Sequence, residues 1–76
     1  MNEDKTKELD VRGLPPPEPF ERIMEALTVL PAGVVLLVHI HREPYPLYDV
    51  LRDSGYAWQT DVRTEGGFTI RISHST

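Results

Sequence analysis

The sequence of 76 residues contains no cysteine. This absence excludes disulfides, thiolate zinc sites, iron–sulfur clusters and covalent cysteine chemistry. The chain is also short of basic residues, with 8 Lys and Arg against 12 Asp and Glu and a net charge of −4. Because nucleic-acid affinity depends on neutralising phosphates, and because Arg12, Arg63 and Arg71 are scattered, no nucleic-acid partner is expected.

Long apolar runs are missing as well. The longest, Val34 to Val38, is far shorter than the ~20 residues that a membrane-spanning helix needs. The first residues are polar and lack the apolar segment of a secretory signal. We therefore expect a cytoplasmic protein that has no membrane partner.

The composition fits one small folded unit. Hydrophobic residues make up 39% of the chain, and a chain of this size buries on the order of 60% of its unfolded surface, which is enough for one core. Residues 1–6 are polar and aperiodic, which is typical of a flexible tail. We expect a single domain over residues 7–76.

Periodic patterns predict the elements. Alternation around Leu9 and Val11 predicts a strand that ends at Gly13. Helical spacing predicts a helix of about four turns that begins in the proline-rich segment 15–19. The apolar residues of that helix are Phe20, Ile23, Met24, Leu27 and Leu30. Further patterns predict a strand at 34–41, a helix at 45–54, and a hairpin of strands 56–62 and 68–73 turning at 65–67.

This order, β-α-β-α-β-β, predicts the fold. A right-handed crossover makes the first two strands parallel and places the first helix on one face of the sheet, where the second helix should join it. We predict an α+β two-layer sandwich with a four-stranded mixed sheet and one open sheet face. Trp58 should then lie under the helices, although an exposed stacking role is the alternative.

The segment from Leu9 to Pro19 carries a recognisable motif. It resembles the signature of the TusA/SirA-like family of small sulfur carriers, Leu-Asp, two variable residues, Gly-Leu, one variable residue and Cys-Pro-x-Pro. The matching positions are Leu9, Asp10, Gly13, Leu14, Pro17 and Pro19. The order of elements and the late Gly-Gly also match, so the resemblance spans residues 8 to 74.

One position departs from that motif. Pro16 stands where the family has its sulfur-accepting cysteine, and a persulfide carrier needs a thiolate. The sequence thus resembles a cysteine-free branch of the family, a domain of unknown function found joined to or encoded near hemerythrin-like and other respiratory proteins. The resemblance implies a protein partner in redox or respiratory metabolism, with participation in sulfur transfer as a non-carrier partner as another possibility.

No enzyme activity and no cofactor are expected. The sequence has no serine–histidine–acid pattern, no glycine-rich phosphate loop and no paired carboxylates in a plausible cleft. The prolines of segment 15–19 leave Glu18 as its one backbone N–H, so a rigid helix start is favoured over an anion site. The protein should be a monomer or a weak dimer, the latter pairing through Val35 and Leu37 on the open face.

A partner-binding surface is the leading prediction. Pro44 and Pro46 stiffen the segment that leads into the second predicted helix, and this segment presents Tyr45 and Tyr48. Rigid aromatic residues lose little entropy on binding. The predicted surface comprises Arg12, Pro16, Pro17, Glu18, Arg42, Glu43, Tyr45 and Tyr48. The alternative for this segment is a helix cap in which Arg42 pairs with an acid.

A metal or small-ligand site is the second prediction. His39 and His41 have the spacing of two ligands on one strand face, with Asp10 or His74 as a possible addition. Two ligands do not complete a metal site. A histidine pair that faces solvent, or that a partner covers, is therefore the alternative.

Overall fold

The elements follow the predicted order. The structure, a computed structural model, describes residues 5–75. Its elements are β1 (Thr6–Asp10), α1 (Glu18–Thr28), β2 (Val35–Ile40), α2 (Tyr45–Asp53), β3 (Tyr56–Val62) and β4 (Phe68–His74). Part of the predicted tail belongs to the sheet, because Thr6 lies in β1 and the carbonyl of Lys5 accepts a hydrogen bond from the N–H of Val35. Residues 1–4 of that tail lie outside the described residues.

The sheet is four-stranded and mixed, as predicted. Its strand order is β1-β2-β4-β3. β1 and β2 are parallel, with Leu9 opposite Val38, whereas β4 is antiparallel to both of its neighbours. Since β1 and β2 run in the same direction, the two helices that follow them both start at the carboxyl ends of these strands.

Both helices cover one sheet face. Ile23 and Leu27 of α1 and Leu47 and Leu51 of α2 are buried in a single core. The sheet contributes alternate residues from β2 and β4, namely Leu36, Val38, Ile40, Ile70 and Ile72. Trp58 is half-buried and packs against this core, which confirms its predicted position under the helices. The α+β two-layer arrangement is therefore confirmed.

Helix α1 is shorter than predicted. It spans 11 residues, about three turns, and ends at Thr28. The N–H groups of Val29 and Leu30 donate to the carbonyls three residues before them, which is a tightened final turn. This turn keeps Leu30 buried, at 6% exposure. The apolar spacing therefore continues past the helix end, and the predicted fourth turn was wrong.

Candidate functional site

A groove lies between the start of α1 and the connection from β2 to α2. Its volume is about 770 Å³, within the range of about 300–1,000 Å³ that is usual for ligand sites. The residues that line it are Gly13–Pro17, Pro19, Phe20, Ile23, Ile40–Arg42, Pro44, Pro46 and Leu47. The groove sits at the carboxyl ends of parallel strands, where α/β proteins commonly bind ligands.

Proline makes the groove walls stiff and poor in donors. Each pyrrolidine ring fixes φ and removes a backbone N–H. The Pro16–Pro17 bond is cis, and neither helix has a side-chain N-cap. The remaining N–H groups at the helix starts are largely engaged: those of Glu18, Glu21, Tyr45 and Leu47 donate to the carbonyls of Pro15, Pro17, Glu43 and Pro44. This arrangement favours the predicted rigid helix start over an anion site.

The polar side chains of the groove are Arg42 and His41. Both are exposed, and neither has a hydrogen-bond or ion-pair partner among residues 5–75. Among residues 5–75, no acidic residue lines the groove. Within that range Arg42 is therefore its single permanent charge, and the alternative in which an acid pairs with Arg42 is not what the structure shows.

Arg12, also predicted for the partner surface, lies outside the groove lining and is held by Asp10. Its Nη2 lies 2.7 Å from Oδ2 of Asp10 and its Nε 2.9 Å from Oδ1, while its backbone N–H donates to the same Oδ1. The side-chain hydrogen bonds from Arg12, followed by this backbone bond, hold the pKa of Asp10 well below its usual range. The ion pair shapes the turn that leads into the groove at Gly13.

Tyr48 points from α2 towards the core, where it is partly buried. Its hydroxyl donates to Oε2 of Glu43 at 3.0 Å and lies 2.6 Å from Oγ1 of Thr60. Burial is the main cause that raises the pKa of Tyr48. Tyr48 is thus a packing residue, and neither it nor Glu43 lines the groove.

Tyr45 remains available at the surface. It is 66% exposed and sits between the groove-lining residues Pro44 and Pro46. Its ring meets Tyr48 edge-on, with the centroids 5.9 Å apart. The nearby Glu43 carboxylate raises the pKa of Tyr45. Glu18 is also exposed, at the start of α1, but it does not line the groove.

The predicted surface is therefore divided. Pro16, Pro17 and Arg42 come together in the groove, whereas the other five residues lie outside its lining. The apolar lining residues Leu14, Phe20 and Ile40 had no predicted binding role. Phe20 belongs to the apolar residues of the predicted first helix, yet it is 38% exposed. The proline clusters at both helix starts were the sequence signal that could have indicated these residues.

The two histidines have different surroundings. His39 lies on the open sheet face, where its Nδ1 is 3.0 Å from Oγ1 of Thr69 and 3.1 Å from Nη1 of Arg63. His41 lies beyond the end of β2 and lines the groove instead. Strand alternation predicted both histidines on one face of the sheet, but β2 ends at Ile40, before His41.

The additional ligands predicted for this pair are engaged elsewhere. Nε2 of His74 lies 2.8 Å from the carbonyl oxygen of Leu30, on the helix side of the sheet. Asp10 is opposite His39 in the sheet, but Arg12 occupies its carboxylate. Within residues 5–75, no three or more His, Asp or Glu side chains are grouped so that they could hold a metal ion. The geometry does not favour the metal hypothesis.

The fold and the groove define a small α+β domain with a proline-walled groove. The chain belongs to the family described as an uncharacterized conserved protein (DUF2249), which matches residues 8–74. Comparison with the curated proteins and with the solved structures gives no match. Neither comparison confirms a relationship to the sulfur carriers, so that resemblance rests on the motif from Leu9 to Pro19, the order of elements and the late Gly-Gly.

The helices are short. Across residues 5–75, neither helix has the length and apolar character needed to cross a bilayer.

Proposed function

We propose that this protein is a non-catalytic binding domain that docks a protein partner in the groove between α1 and the β2–α2 connection. The observation that carries the proposal is the groove itself, an apolar volume of about 770 Å³ with proline walls. Its walls are already ordered, so a partner would lose little free energy to the ordering of this surface.

Exposed aromatic rings support docking at this place. Phe20 forms part of one wall, and Tyr45 stands between two prolines of the other. Aromatic residues are enriched among those that contribute most to protein–protein affinity, since they bury a large area with few rotatable bonds. A partner that covers the groove would bury both rings.

The lining residues support a role without chemistry. Pro16 occupies the position at which the similar sulfur carriers have a nucleophile, and no carboxylate of residues 5–75 lines the groove. His41 therefore has no acidic partner there with which to share proton transfer. The similarity to sulfur carriers favours a partner from redox or respiratory metabolism, and a hemerythrin-like protein is the first candidate.

Site-specific photocrosslinking in the host cell tests this proposal. Benzoylphenylalanine is placed at Phe20, in the groove wall, and in a matched variant at Ala57, which is exposed on the open sheet face. Fluorescence of Trp58, the chain's single tryptophan, verifies that both variants fold. We expect a discrete protein adduct from position 20 and none from position 57. Adducts from position 57 alone, or none from either position, would contradict the proposal.

A further inference from the structure

We infer that the occupant of the groove is a short extended segment of the partner that presents apolar side chains to the walls and a carboxylate to Arg42. The inference rests on the proposed function, which it makes specific. It follows from the charge of the lining, from the supply of hydrogen-bond donors and from the size of the groove.

The charge of the lining selects an anionic group. Among residues 5–75 two arginines have no ion pair, Arg22 and Arg42, and of these Arg42 is the one that lines the groove. Arg12, Arg52, Arg63 and Arg71 each lie within 4 Å of an Asp or Glu oxygen. The adjacent acid, Glu43, accepts the hydroxyl of Tyr48 instead. In a chain with an excess of acidic residues, a free guanidinium beside an apolar groove is complementary to a carboxylate on the partner.

The supply of donors limits that anion to a single charge. A guanidinium binds a carboxylate or a phosphate through two parallel hydrogen bonds. A phosphate carries more charge and accepts more hydrogen bonds, and the prolines have removed the backbone donors that commonly hold it. With Arg42 as the one permanent cation that residues 5–75 place in its lining, the groove matches a carboxylate better.

The size of the groove favours a short extended segment over a helix. An α-helix of about 10–12 Å diameter and 5.4 Å pitch occupies on the order of 500 Å³ per turn. A volume of about 770 Å³ is smaller than two such turns, the length over which a docked helix makes its i, i+4 and i+7 contacts. The prolines of the walls offer no N–H to a paired strand, which favours recognition through side chains.

Titration of the full-length ¹⁵N-labelled protein with two short peptides tests the inference. The probes are acetyl-Leu-Leu-Glu-amide and acetyl-Leu-Leu-Gln-amide, which differ by one charge. We expect both to shift the amide resonances of Leu14, Phe20 and His41, with the Glu peptide binding about 3–10-fold more tightly. Arg42→Gln should abolish this preference.

The matched control is Arg22→Gln. Arg22 is an exposed α1 arginine outside the groove lining, so its loss should leave the preference for Glu intact. Equal affinity of the two peptides for the wild-type protein, or a preference that survives Arg42→Gln, would overturn the inference. Failure of both peptides to shift groove resonances would overturn it as well.

Octanoate, tested in parallel, distinguishes a peptide segment from a small amphiphile. Tighter binding of octanoate than of the Glu peptide in the groove would overturn the peptide occupant. A crosslink from position 20 without a Glu preference would reject the carboxylate and leave the docking proposal standing. Absence of that crosslink rejects docking itself, so the two failures are distinguishable.

Discussion

The ring of Tyr48 stacks on the indole of Trp58, with the centroids 5.4 Å apart and the planes 11° from parallel. This contact joins α2 to β3, and the Tyr48 hydroxyl extends the connection to Glu43 and Thr60. A tyrosine predicted to recognise a partner thus fixes the helix that forms one wall of the groove. Its substitution should act first on stability.

Two substitutions at Tyr48 separate its ring from its hydroxyl. Tyr48→Phe keeps the stacking and removes hydrogen bonds to Glu43 and Thr60, so it should destabilise the protein by about 0.5–1.5 kcal/mol. Tyr48→Ala also removes the ring and should cost about 2 kcal/mol or more. Urea unfolding followed by Trp58 fluorescence measures both. The control is Tyr45→Phe at an exposed ring, whose free energy of unfolding should stay within about 0.5 kcal/mol of wild type. A Tyr48→Phe variant as stable as wild type would contradict this account.

The same tyrosine should make stability sensitive to alkaline pH. Burial raises the pKa of Tyr48 above the value of about 10 that it has when unfolded. Its contribution is therefore complete below pH 10 and is lost as the pH rises through the higher pKa of the folded state. We expect the stability advantage of wild type over Tyr48→Phe to shrink above pH 10 in urea unfolding series. An advantage that grew with pH would refute this prediction.

The Asp10–Arg12 pair should act at the acidic end. Arg12 lowers the pKa of Asp10 below the ordinary 3.8, so the stability gained from the carboxylate is present above that pH and lost as the pH falls towards the lower folded value. In urea unfolding series, the difference in the free energy of unfolding between wild type and Asp10→Asn should therefore narrow steadily below about pH 4. The difference between wild type and Arg12→Gln should narrow in the same way. Differences in unfolding free energy that stay constant from pH 7 to pH 2.5 would show that the pair does not contribute in this way.

The sequence predicted local structure better than the groove. The β3–β4 hairpin and α2 were predictable because alternation, helical spacing and flanking Gly or Pro mark them within a few residues. The end of α1 was not, since Leu30 keeps the apolar spacing through a tightened turn. The groove depends on how two helix starts, far apart in sequence, approach each other, and no local pattern encodes that distance.

The same distinction explains the individual site residues. Arg42 and the prolines at 16 and 17 could be predicted as surface groups from the motif and its surroundings. The inward placement of Tyr48 depends on Trp58 and Thr60, which belong to a different element. His41 was misplaced because strand β2 ends one residue before it.

Zinc titration checks the histidine alternative. His39 lies on the open sheet face, with Nδ1 beside Thr69 and Arg63 and Nε2 3.9 Å from Oε1 of Glu8, whereas His41 lies in the groove, so the two histidines do not share a site. We expect weak zinc binding in calorimetry, with His39→Ala leaving it unchanged. Tight binding that both His39→Ala and His41→Ala abolish would instead establish a shared site and reverse this interpretation.

Gly67 holds the β3–β4 turn against the end of β2. Its φ is 83°, and a Cβ at this position would lie 2.7 Å from the carbonyl oxygen of Ile40 and 3.2 Å from Cα of His41. Gly67→Ala therefore combines a left-handed backbone, which costs about 1–2 kcal/mol, with a clash against backbone that cannot rotate away. The turn must shift, and the end of β2 that enters the groove must shift with it.

Gly33→Ala is the matched control, because Gly33 has φ 85° and nothing within 4 Å of its added Cβ. It should show the backbone cost of about 1–2 kcal/mol alone, whereas Gly67→Ala should lose clearly more in urea unfolding. Gly67→Ala should also move the amide resonances of His41 and Arg42. It should weaken the binding of the Glu peptide as well, because Arg42 would leave its position at the groove. Equal destabilisation by the two substitutions, with unchanged His41 and Arg42 resonances, would show that the turn does not position this wall of the groove.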